Sequence, residues 1–93
     1  MQPTIIDSFI KVSQKFLEVI IQENDLLAQQ NLREVSDLVQ QKQKVADQYT
    51  LLAEELLRLF PVMKIDEEQH KELHAIVCDL GDKLIDNERM LSI

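Results

Sequence analysis

His70, His74 and Cys78 recur every four residues, and Glu67 precedes His70 by three. Side chains four apart share a helix face, so this stripe has ligand types and spacing that suit zinc or another borderline metal. Glu67-x-x-His70 is also half of a di-iron carboxylate motif. That motif needs a second copy and two further inward glutamates, and the chain holds no second Glu-x-x-His. The stripe lies one residue off the apolar register of Leu73, Val77 and Leu80, at the edge of a core. We therefore expect two boundary histidines and one small buried cysteine, with no metal and no cofactor. No other chemistry converges, because there is no Gly-rich phosphate loop, nucleophile elbow or Ser/His/Asp set. The chain is not expected to be an enzyme.

Whatever these residues do, helices must position them. Ninety-three residues suffice for one small domain. One glycine and two prolines make three breakers, where average usage of ~12% would give roughly eleven. Sandwiches, barrels and Rossmann units need many more tight turns. Hydrophobic residues at 45% and charged residues at 29% fit a globular helical protein, and 4% aromatics leave the core to Leu, Ile and Val. Ten Lys and Arg against seventeen Asp and Glu give a net charge of −7. Such a chain repels nucleic-acid phosphates and anionic membrane surfaces. There is no run of eighteen apolar residues and no export signal at the start. The lone Cys78 cannot close an intrachain disulfide, which agrees with a reducing, cytoplasmic location.

The periodicity predicts a single all-α domain over 1–93, an antiparallel up-down-up bundle of three long, coiled-coil-like helices at about 4–29, 32–60 and 67–91. Pro3 and Thr4 suit a helix start, and Ile5, Phe9, Val12, Phe16, Ile20 and Leu26 or Leu27 form one face. Asn31 with Glu34 resembles a capping box that begins the second helix. There Val35, Leu38, Lys42, Val45, Tyr49, Leu52, Leu56 and Leu59 keep a 3-4 rhythm, an a/d seam interrupted by one lysine. Its stem is expected to lie along the seam while the ammonium snorkels outward. Pro61 should end this helix and push Phe60 out of the helical region. Asp66 and Gln69 have the residues of a second capping box. Leu73, Ile76 or Val77, Leu80, Leu84 and Leu91 carry the last apolar face. Gly81 inside that helix is expected to mark a close helix–helix contact or to be a tolerated cost of ~1 kcal/mol. Met90, Leu91 and Ile93 close the sequence without a C-cap, so the native chain is expected to continue past Ile93.

Glu23-Asn24-Asp25-Leu26-Leu27, then Leu38, Lys42, Val45, Leu52 and Leu56, and late Asn87-Glu88-Arg89-Met90-Leu91, resemble the pattern of FlgN-type flagellar export chaperones. The likeness covers about residues 9–60 and, more weakly, 73–91. That family usually carries Gly-Asp at the first junction, where this chain has Gln30-Asn31. The resemblance implies a cytoplasmic type III export chaperone that binds helical terminal segments of hook–filament junction proteins through its C-terminal region. Leu84, Asn87, Met90 and Leu91 are the expected partner contacts. The competing expectation is a structural adaptor that forms a homodimer through the Val35–Leu59 seam.

Overall fold

The structure is a computed structural model that describes residues 4–92, so Pro3 and Ile93 lie outside it. It is an all-α bundle of three helices: α1 (Ile5–Ala28), α2 (Leu32–Leu59) and α3 (Glu67–Leu91), with a 3-10 turn at Phe60–Val62. Each helix begins on a side-chain cap. Thr4 Oγ1 accepts from the Asp7 amide at 3.2 Å, and Asn31 Oδ1 accepts from the Glu34 amide at 3.4 Å. Asp66 Oδ1 accepts from the Gln69 amide at 2.7 Å, and Gln69 Oε1 accepts from the Asp66 amide at 3.4 Å. The capping box is thus complete at α3, whereas at α2 only its first half is made.

The α1–α2 junction turns without glycine. Gln30 takes the left-handed region with φ 58°. The Asn31 amide reaches back to the Leu26 carbonyl at 2.9 Å and the Gln30 amide to that of Leu27 at 3.0 Å. This is a Schellman closure, which satisfies two orphan carbonyls of α1. The second junction departs from expectation. α2 does stop at Leu59, but Phe60 stays right-handed (φ −52°, ψ −43°), and its amide still bonds the Leu56 carbonyl. Proline is tolerated in the first turn of a helix, so Pro61 tightens the chain into the 3-10 turn, and the backbone becomes extended only at Met63.

α1 is the spine. Among the described residues it buries nine positions, against four on α2 and two on α3, because it alone is packed on both flanks. Ile6, Phe9 and Ile10 cluster with Leu56 of α2, with Leu73 and Ile76 of α3 packed around them. Farther along, Phe16, Val19, Ile20 and Leu26 meet Val35, Leu38 and Val45 of α2 and Leu80 of α3. The start of α1 therefore faces the end of α2 and the start of α3, an up-down-up order. Phe9 and Phe16 place their rings 5.2 and 5.4 Å from that of Tyr49 and join the two clusters. No Cα of α2 comes within 8 Å of one on α3 among the described residues. Packed helices lie ~8–10 Å apart axis to axis, so α2 and α3 flank α1 and are splayed from each other. The body measures 45 × 21 × 21 Å.

Candidate functional site

Two features stand out once the helices are placed: a polar knot inside the bundle and an apolar groove on its open side. The knot takes one residue from a core position of each helix. Glu23 follows Ile20 by three and precedes Leu26 by three, so it falls on the buried face of α1 and is 1% exposed. Lys42 sits in the α2 seam, and Asn87 follows Leu80 by seven. The Lys42 Nζ donates to Glu23 Oε1 at 2.8 Å and to Asn87 Oδ1 at 3.0 Å. Asn87 Nδ2 donates to Glu23 Oε1 and, at 2.9 Å, to Asn24 Oδ1. Asn24 Nδ2 donates in turn to the Lys83 carbonyl at 3.3 Å. No buried side-chain nitrogen or oxygen among the described residues lacks a partner. Lys42 thus does the opposite of snorkelling: its ammonium turns inward, because an unpaired Glu23 carboxylate at that depth would cost more than burying the lysine beside it.

The knot accounts for part of the expected contact set. Asn87 spends its amide on the three helices and is buried. Leu84 packs against the core cluster. Met90 is half-buried in the α1–α3 crevice beside Ile21 and Asn24. Only Leu91 stands open, at 51% exposure. All four lie on the face of α3 that meets α1, in register with Leu80, so the bundle uses most of that stripe itself. The α2 seam is used likewise: Val35, Leu38, Val45 and Leu56 are buried against α1.

The splay between α2 and α3 leaves a groove. Phe9 and Tyr49 lie at its base, Leu56 and Leu57 on the α2 wall, and Leu73 and Val77 on the α3 wall. It continues past Phe60 to His70, His74 and Cys78. The two stretches are open depressions of about 270 and 230 Å³. Both fall below the ~300–1,000 Å³ of enclosed small-molecule sites, so the shape suits an elongated occupant. Leu57 is 73% exposed and Ile85 56%. Burial holds the Tyr49 phenol above its ordinary range, because phenolate would lose hydration there.

The metal-type stripe lies on this rim. Cys78 is exposed, not buried, with Sγ 3.8 Å from both ring nitrogens of His74. Among the described residues no group of three or more His, Cys, Asp or Glu is placed to hold a metal ion. Of the two readings of Gly81 the close contact is absent, since a Cβ built there meets nothing within 4 Å, which leaves a glycine tolerated inside a helix. The groove residues left a trace in the sequence that an a/d reading passes over. Apolar residues are doubled at Leu56-Leu57, Ile76-Val77 and Leu84-Ile85, and the first member of each pair serves the core while the second is exposed.

No helix among the described residues is long and apolar enough to cross a membrane. Compared with protein-family models, with curated proteins and with solved structures, the chain matches none.

Proposed function

We propose that the chain is a cytoplasmic export chaperone of the flagellar type III system, which binds helical terminal segments of hook–filament junction proteins and has no catalytic role. The observation that supports this reading most is the open apolar groove between α2 and α3. An amphipathic client helix can bury its apolar face there. The resemblance in the sequence supplies the client class. Its signature positions Glu23, Asn24, Lys42 and Asn87 meet in one hydrogen-bonded knot, which gives that pattern a physical role: setting the register of the scaffold. The acidic surface keeps a chaperone with exposed apolar residues dispersed.

Co-expression with hook–filament junction proteins tests it. A stoichiometric complex on size exclusion, lost when the client's terminal helical segment is deleted, is the expected result. Failure to co-purify with any flagellar axial protein would sink the reading.

A further inference from the structure

We infer that α3 is a releasable helix, docked on the α1–α2 hairpin by a neutral latch at Asn87 and able to open as a unit while the hairpin stays folded. The inference concerns the scaffold and stands whether or not the chain binds an export client.

The first observation is where the charges of the knot lie. Glu23 and Lys42 both belong to the hairpin, and their 2.8 Å bond closes the ion pair within α1 and α2. Among the described residues no ion pair joins α3 to either neighbour, since the other two lie within α2 and within α3. α3 reaches the knot only through neutral groups, the Asn87 amide and the Lys83 carbonyl. The bond from Lys42 to Asn87 is the only hydrogen bond between α2 and α3 among the described residues. Had either charge stood on α3, its departure would strand the other without a partner. As built, departure leaves Glu23 on Lys42, and water replaces the partners of neutral amides.

The apolar packing is divided in the same way. The buried residues of α2 (Val35, Leu38, Val45 and Leu56) are all apolar, and its Tyr49 ring packs with Phe9 and Phe16 of α1. Of the two residues buried on α3, only Leu80 is apolar. The connections differ as well. The Schellman closure over residues 29–31 fastens α1 to α2, whereas residues 63–66 lead into α3 without regular structure. Opening uncovers the α1 face on which Leu80 and Leu84 pack, so the fold keeps one apolar surface behind a latch.

Native-state hydrogen exchange on the whole chain, read helix by helix by mass spectrometry, tests this. An undocked helix loses most of its stability in water, so its amides exchange whenever α3 opens. The α3 amides are expected to be protected at least about tenfold less than the core amides of α1 and α2. Val45 lines the α1–α2 crevice with Val19, and that packing persists when α3 opens. Val45→Ala should therefore lower protection in α1 and α2 about tenfold and leave α3 within about twofold. Asn87→Ala removes the latch and should lower α3 protection about tenfold. Equal protection in all three helices would overturn the inference. So would a loss in α3 with Val45→Ala that matches the loss in α1, or no loss in α3 with Asn87→Ala.

Discussion

Lys42 is the residue on which most of the internal specificity turns. A buried ion pair adds little net stability over an apolar pair of the same shape, yet breaking one half is costly, at ~3–5 kcal/mol. Lys42 keeps 24% of its side chain exposed, which places it at the lower end of that range. Lys42→Ala is expected to destabilise the fold by about 3 kcal/mol in urea denaturation, and Lys42→Met with Glu23→Leu to recover most of the loss. A double variant no more stable than the single one would mean that the knot contributes net stability. Tyr49 gives the pH dependence. Its phenol titrates above the ordinary range when folded, so the unfolded chain loses that proton first. The contribution is fully present below about pH 10, the ordinary phenol value, and fades as pH rises through the folded value. Absorbance at 295 nm should show a higher midpoint in buffer than in urea; coincident midpoints would contradict it.

Two positions at the scale of the element carry helix formers and breakers in each other's places. Gln30 occupies a left-handed site that costs a residue with a Cβ ~1–2 kcal/mol. Gly81 occupies a helix interior, where glycine costs ~1 kcal/mol relative to alanine, and a Cβ there meets nothing. Gln30→Gly and Gly81→Ala should therefore each raise stability by about 1 kcal/mol, additively because they lie on separate elements. Thermal melts of the single and double variants check this. A loss at Gly81→Ala would show that the open space beside it is used in the folded state.

At the scale of the whole molecule, one spine carries two flanking helices that barely support each other. Leu52 packs against the cluster of Ile6, Phe9, Ile10 and Leu56 that binds α2 to α1. Leu52→Asp is expected to abolish the cooperative melt, because α3 cannot hold α2 once α1 releases it and the new carboxylate has no partner there. An unchanged melting temperature would show that this end of the bundle is not core. The same single-spine plan leaves the groove open. Its floor and walls are apolar, from Phe9 and Tyr49 to Leu73 and Val77.

The sequence by itself determined the helices, to within a residue or two at most ends, because caps, breakers and the 3-4 rhythm act locally. It also put Lys42 in the core stripe. It did not show where the lysine's charge would go, since Glu23 and Asn87, though in the apolar register of their own helices, are 19 and 45 residues away along the chain. The expected contacts Leu84, Asn87 and Met90 have the same explanation: one apolar stripe reads alike whether it meets a partner or its own α1. The exposed Leu57, Phe60 and Val77 form a surface only after α2 and α3 are splayed around α1. Local sequence sets which face of a helix is apolar. Only the packing of three helices decides which apolar faces are covered and which one is left open.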